Sequence, residues 1–258
     1  MKIAQISDLH FGAHDDAVSE ALLGHLVAAA PDLVIASGDL TQSATAAEFA
    51  QACAFFARLP MPVFAIPGNH DLPGMDITRF FRPFRRYRRF IAEDLEPHFH
   101  GDGVRIKGIN SARMILPHWN WANGAVSQAQ CRATKEAFAG SAEPWRVFVL
   151  HHPVMNSKDF PLAVTVFNRD ALLKTLCEQR VDIVLAGHQH HAYIETRLGE
   201  GHTTLFVNAS TATSTRLRRQ PNGFNMLDFT GKSVRIDMLR YHDGAFSTFE
   251  ALTHTKTG

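Results

Sequence analysis

Five short segments carry residue types that hold metals or move protons. They are Ser7-Asp8-Leu9-His10, Gly38-Asp39-Leu40-Thr41, Gly68-Asn69-His70-Asp71, His151-His152-Pro153 and Gly187-His188-Gln189-His190. Asp, Asn and His offer oxygen and imidazole nitrogen but no thiolate. That donor set suits Mn, Fe or Zn in a reactive site rather than a Cys-rich structural zinc. Two Asp, one Asn and four His are more than one tetrahedral ion needs. They match two ions sharing a bridging carboxylate at the ~3.5–4 Å separation of two-metal hydrolases. The pairs Asp8/His10 and His188/His190 can point the same way where the chain is extended. The glycines before Asp39, Asn69 and His188 suit sharp turns off strand ends. Each segment alone is a weak signal. Five in order, all of ligand type, are a strong one.

Each segment follows at once on an apolar, β-rich run. The runs are Lys2–Ser7, Asp32–Ser37, Pro62–Ile66, Arg146–Leu150 and Asp182–Ala186. In open α/β sheets, ligands bind just outside the carboxyl ends of the strands, so five distant segments can converge on one crevice. Helices are expected between the runs. They are Ala17–Ala30, Thr45–Leu59 capped near Ser43 or Thr45 with Glu48 three positions after Thr45, Ser127 to about Ala139, and Asp170–Arg180. A strand is expected over Val104–Ile109, with another ending near Met114. Beyond Gly187 the pattern becomes short strands and turns: Tyr193–Leu198, Thr203–Asn208, Phe224–Phe229 and Ser233–Leu239. A βαβα start with a β-rich tail indicates a layered α/β (α+β) architecture. No linker-like composition divides the chain, so residues 1–258 are expected to form a single domain.

The 258 residues contain 26 Lys plus Arg and 25 Asp plus Glu, for a formal net charge of +1. This balance excludes a globally basic nucleic-acid binder and an acidic disordered chain. The 15 His are the unusual count, consistent with metal or acid–base chemistry. Cys53, Cys131 and Cys177 are far apart and lack zinc-site spacing, so reduced packing cysteines are expected. No secretory leader and no run of ~18 apolar residues is visible, so a cytoplasmic protein without a membrane span is expected.

At these residues the sequence resembles the calcineurin-like metallophosphoesterases. Their pattern is D-x-H, G-D, G-N-H-[DE], an H-x-P element and G-H-x-H, and all five parts occur here in that order. The resemblance implies a four-layer αββα sandwich of two mixed sheets flanked by helices. It implies two divalent or trivalent transition-metal ions. One would be held by Asp8, His10, Asp39 and His190, the other by Asp39, Asn69, His151 and His188, with Asp39 bridging. His70 would contact the phosphoryl group and protonate the leaving oxygen, with Asp71 as its neighbour. Metal-bound hydroxide would be the nucleophile. The chain looks most like the compact bacterial phosphodiesterases of the cyclic-nucleotide and glycerophosphodiester type. A small phosphodiester is therefore the expected substrate. A phosphomonoesterase, a nuclease and a metal-free scaffold of the same fold are the alternatives. Asp39 is followed by Leu40-Thr41-Gln42, unlike the G-D-x-V-D-R-G of the protein phosphatases. Nucleic acid is disfavoured by the charge, and a homo-oligomer stays open.

Several features lie outside this pattern. Thr78–Phe90 carries six Arg between Arg79 and Arg89, with aromatics at helical spacing interrupted by Pro83. An amphipathic segment with its arginines in water is the plainest reading, ahead of a cationic rim and of a lipid contact. Trp119 and Trp121 are expected to anchor a loop. The segment Ser210–Gln220 carries Arg216, Arg218 and Arg219, with an approach to the site and a place at a subunit interface as the two open readings. His152 and His191 adjoin expected ligands, and their roles stay open.

Overall fold

The computed structural model describes residues 1–74, 81–114, 122–157, 166–199 and 201–256. In chain order, the first elements are β1 (Lys2–Ile6), α1 (Asp16–Ala29), β2 (Leu33–Ser37), α2 (Ala46–Ala57), β3 (Val63–Ile66) and α3 (Arg85–Phe90). Next come β4 (His98–Gly101), β5 (Val104–Gly108), β6 (Gly124–Ala125), α4 (Gln128–Phe138), β7 (Trp145–Val149), β8 (Val166–Phe167) and α5 (Arg169–Glu178). The tail is β9 (Ile183–Ala186), β10 (Tyr193–Gly199), β11 (His202–Asn208), β12 (Gly223–Thr230), β13 (Ser233–His242) and β14 (Ala245–Thr255).

The strands form two six-stranded mixed sheets, ordered β14-β13-β12-β1-β2-β3 and β10-β11-β9-β7-β5-β4, while β6 and β8 pair separately. In the first sheet β1, β2 and β3 are parallel and β12 runs antiparallel to β1. In the second, β5, β7, β9 and β11 are parallel, and the edge strands β4 and β10 are antiparallel.

Alternation along the strands dictates the layers, because successive side chains leave opposite faces of a sheet. From β2, Leu33 and Ile35 enter the cluster shared by both sheets, while Val34 and Ala36 enter the cluster that holds Leu22 and Leu26 of α1 and Phe49 of α2. From β7, Val147 and Val149 enter the shared cluster, while Phe148 joins Cys131 and Phe138 of α4 and Leu172 and Leu176 of α5. The strands are therefore buried on both faces and read as unbroken apolar runs. The result is the four-layer αββα sandwich. Trp145 is 1% exposed between the sheets and its indole N–H donates to the Gly231 carbonyl at 2.8 Å.

The helix ends are set by local chemistry. Thr45 and Glu48 form a capping box on α2, and Ser127 and Gln130 form a second on α4. Satisfying those orphan N–H groups stabilises each helix start by about 1 kcal/mol. Asp15 caps α1 by accepting the Val18 N–H, and Ala30, at φ 44°, ends it before Pro31.

Several expectations need correction. The tail is longer than expected: β13 runs to His242, and β14 adds eleven residues as an edge strand. There Phe246, Phe249, Ala251 and Leu252 are interspersed with polar residues, so no unbroken apolar stretch announced it. Among the described residues no strand ends near Met114; residues 109–114 are irregular, and 115–121, with Trp119 and Trp121, lie outside the described residues. Of the Arg-rich stretch, residues 78–80 lie outside the described residues. After Pro83 the chain forms only the short α3, which buries Tyr87. Cys53 is exposed rather than packed, whereas Cys131 is buried. Among the described residues, no helix is long and apolar enough to cross a membrane.

Candidate metal centre

The carboxyl ends of β1, β2, β3, β7 and β9 meet at one place, where the two sheets come together. The backbone there is unusual. Asp8, His10, Asp39, His188 and His190 all have positive φ, between 49° and 70°. The x-spaced pairs therefore converge through left-handed residues and not, as the sequence suggested, through extended chain. Non-glycine residues in this region cost of order 1 kcal/mol each and persist where the surroundings over-determine them. The hydrogen bonds from Asp8 N to the Gly38 carbonyl and from His10 N to the Asp39 carbonyl, both 3.0 Å, lock the first two turns together.

The glycines act in two ways. Gly38, at φ 97°, makes the turn itself. Gly68 and Gly187 are not at positive φ. They allow close approach: a Cβ on Gly68 would stand 2.1 Å from Asp39 Oδ1, and one on Gly187 would stand 1.9 Å from Ser7 Oγ.

The side chains crowd around a common point. Asp8 Oδ1 lies 3.1 Å from His190 Nε2, and His10 Nε2 lies 3.1 Å from His190 Nε2. His10 Nε2 is also 3.7 Å from both Asp8 Oδ1 and Asp39 Oδ2. On the other side, His151 Nε2 is 3.2 Å from Asp39 Oδ2 and 3.3 Å from His188 Nδ1. Among the described residues, four triplets each bring a ligand atom per residue within 4.8 Å of one another. They are Asp8/His10/His190, Asp8/Asp39/His151, His10/Asp39/His70 and His151/His152/His188. Asn69 is 3% exposed, and neither its amide oxygen nor its amide nitrogen has a hydrogen-bond partner. Asp8 Oδ1 and His152 Nε2 are equally without one. Buried polar atoms left bare are costly, and these ring nitrogens and carboxylate oxygens lie close enough together to hold a cation. The donor set thus fits transition-metal ions.

Outer contacts fix which nitrogen each imidazole presents. A carbonyl can only accept, so His151 Nδ1 donates to the Ser37 carbonyl at 2.9 Å, and His190 Nδ1 donates to the Arg216 carbonyl at 2.7 Å. Both leave Nε2 facing inward, the usual outer-shell arrangement of metal-binding histidines. His70 Nδ1 donates to the Gln42 carbonyl at 2.8 Å, so its Nε2 faces the mouth of the site. The His70 backbone N–H donates to Asp39 Oδ1 at 2.8 Å. Asp71 does not orient the His70 ring. Its carboxylate accepts from the N–H groups of Gly68, Leu40 and Thr41 and from the Thr41 hydroxyl, tying two loops together.

Charge follows burial. Burial raises the Asp8 carboxyl, but the surrounding imidazoles outweigh it and hold the group well below the usual range. Asp39 is likewise lowered, by His151 and His70 against burial. Burial pushes His188 down to about 3, helped by His151, and burial also lowers His10. His151 is the exception: burial lowers it, but Asp39 prevails and raises it to about 9. Metal ligation needs ionised carboxylates and neutral imidazoles; the shifts of Asp8, Asp39, His10 and His188 favour that state and the shift of His151 opposes it.

The family model of the calcineurin-like phosphoesterases matches residues 1–192, a span that contains all five segments. The chain belongs to this family. This phosphoesterase is a phosphoric ester hydrolase, and its fold implies divalent metal ions. A probable cyclic nucleotide phosphodiesterase of Synechococcus sp. is 27% identical over 247 residues, covering 88% of this chain and 87% of that protein. Two solved structures share the fold. A dimetal phosphatase from Danio rerio superposes with a TM-score of 0.73 at 12% identity, covering 100% of this chain and 99% of its own. A purple acid phosphatase from yellow lupin gives 0.74 at 14% identity, covering 99% of this chain and 53% of its own.

Two features that the sequence left open are placed by the structure. His152 is buried, its Nδ1 within 2.8 Å of Ser111 Oγ, and its bare Nε2 joins His151 and His188. Its place beside His151 was the available signal. Arg216 lies beyond the matched span and reaches the site only through folding.

Proposed function

We propose that the phosphoesterase is a binuclear enzyme that hydrolyses small phosphodiesters, with residues 1–258 acting as one domain. Asp8, His10, Asp39 and His190 would hold one ion, and Asp39, Asn69, His151 and His188 the other. The observation that carries this reading is the position of Asp39 Oδ2, 3.2 Å from His151 Nε2 and 3.7 Å from His10 Nε2. One carboxylate oxygen thereby joins the two halves of the cluster, as a bridging ligand must.

Bound ions would supply a nucleophile at neutral pH and neutralise the phosphoryl oxygens. The remaining work belongs to the protein. Asp39 Oδ1 anchors the His70 backbone and the Gln42 carbonyl holds its Nδ1. The imidazole is thus aimed with Nε2 toward the substrate, where it donates a proton to the leaving oxygen as a general acid. A small diester is favoured by the charge of +1, which provides no global attraction for polymeric nucleic acid. The cyclic-nucleotide name of the Synechococcus relative points the same way.

The test is a turnover panel with Mn, Fe and Zn against cyclic nucleotides, glycerophosphodiesters, nucleic acid and simple monoesters, with metal analysis of the purified protein. About two ions per chain and fastest turnover of small diesters are expected. Monoester or nucleic-acid preference would replace the substrate, and absence of metal and of all turnover would leave a scaffold. His70→Ala should lower kcat roughly 10²–10⁴-fold with ion content unchanged. Wild-type turnover in that variant would remove His70 from the mechanism.

A further inference from the structure

We propose that Arg216 is a substrate-binding residue, whose guanidinium holds a phosphoryl oxygen at the mouth of the site beside His70. This rests on the reading of the site as a phosphoester centre. Arg216 lies outside the span matched by the family model, residues 1–192, so its role comes from the structure of this chain.

The backbone and side chain of Arg216 do different things. Its carbonyl accepts from His190 Nδ1 at 2.7 Å, which seats the loop directly on the ion cluster. Its Nη1 lies 3.4 Å from His70 Nε2 and 3.4 Å from Gln42 Oε1. Both contacts are long for a guanidinium, whose bonds to anionic oxygen run about 2.7–2.9 Å. Among the described residues no carboxylate pairs with it. An exposed cation is therefore held only loosely, beside Gln42 Oε1 and the His70 ring, next to the group that meets the leaving oxygen. A planar guanidinium matches the geometry of phosphoryl oxygens, and its charge complements theirs.

The loop is rigid where it must be. Thr211 Oγ1 donates to the Asp8 carbonyl at 2.6 Å, and Thr213 Oγ1 to the Leu9 carbonyl at 2.7 Å. Thr215 N and Oγ1 both donate to the Ala13 carbonyl at 2.9 Å. Asn222 Nδ2 ties the loop across itself to the Ser214 carbonyl at 2.9 Å. The segment is thus sewn to the Asp8–Ala13 turn on one side of Arg216. A cation whose base is fixed loses little freedom when it engages an anion.

The test compares wild type with Arg216→Met and Arg216→Lys, all loaded with metal. The His190 anchor is a backbone carbonyl, so both variants are expected to keep their ions. Binding of inorganic phosphate is followed by calorimetry and as inhibition. Arg216→Met should weaken phosphate at least tenfold and raise KM, and Arg216→Lys should recover part of the loss. Unchanged phosphate affinity and KM with a lower kcat would overturn the proposal, leaving Arg216 as a positioning residue for His70. Loss of ions from both variants would also overturn it. Should wild type bind phosphate through Arg216 yet hydrolyse no ester, the hydrolase reading fails and the Arg216 assignment stands.

Discussion

His151 faces two demands at once. Its Nδ1–H is committed to the Ser37 carbonyl, so Nε2 must deal with Asp39 Oδ2 at 3.2 Å. Without an ion, the cheapest arrangement is a proton on Nε2, which is why the group rises to about 9 despite burial. A metal ion needs that nitrogen deprotonated. With His151 as a ligand, as proposed, ion uptake below about pH 9 should expel its proton. In weakly buffered solution at pH 7, metal addition should release about one proton per chain from this residue. Apparent affinity should rise about tenfold per pH unit and level off as pH passes about 9. An affinity flat between pH 6 and 9 would show that His151 is not displaced. His188, already pushed down to about 3, adds no further dependence in that window.

At the scale of elements, the site depends on strand ends that approach more closely than side chains normally allow. Gly187 follows β9 directly, and a Cβ there would meet Ser7 Oγ at 1.9 Å and Asp8 Oδ2 at 2.6 Å. Gly187→Ala should force β9 away from β1, costing about 1–3 kcal/mol. It should also lower ion content, because His188 N donates to Asp8 Oδ2 at 2.9 Å across the same gap. Gly24 is the contrast. It lies inside α1 with nothing within 4 Å of the added Cβ. Gly24→Ala should therefore stabilise the protein by about 0.5–1 kcal/mol without changing ion content. Thermal melts with metal analysis separate the two, and equal effects would show that close approach at Gly187 is immaterial.

At the scale of the whole molecule, ion binding is expected to couple to sheet packing. The candidate ligands come from both sheets, Asp8, His10, Asp39 and Asn69 from one and His151, His188 and His190 from the other. Ions held between them should act as a clamp. At free ion a hundredfold above Kd, each site adds about 2.7 kcal/mol, which for a chain of this size raises Tm by roughly 5–10 °C. Chelation should reverse that shift, and an unchanged Tm would argue that no ion links the sheets. The sequence by itself determined the layered α/β class, where α2 and α4 start, and which five strand ends carry ligand-type residues. Those are local properties: unbroken apolar runs mark strands buried on both faces, and Thr45 and Ser127 each meet a partner three residues on. It could not determine that Asp8, His10, His188 and His190 sit at positive φ, because that conformation is imposed by neighbours such as the Gly38 and Asp39 carbonyls. Nor could it reveal β14, whose polar alternation is that of an edge strand facing water. Only the tertiary structure decided that Arg216 stands beside His70, 146 residues away in the chain. It also decided that the bare Nε2 of His152 joins His151 and His188. Such juxtapositions are set by how two sheets pack, and no spacing within either segment encodes them.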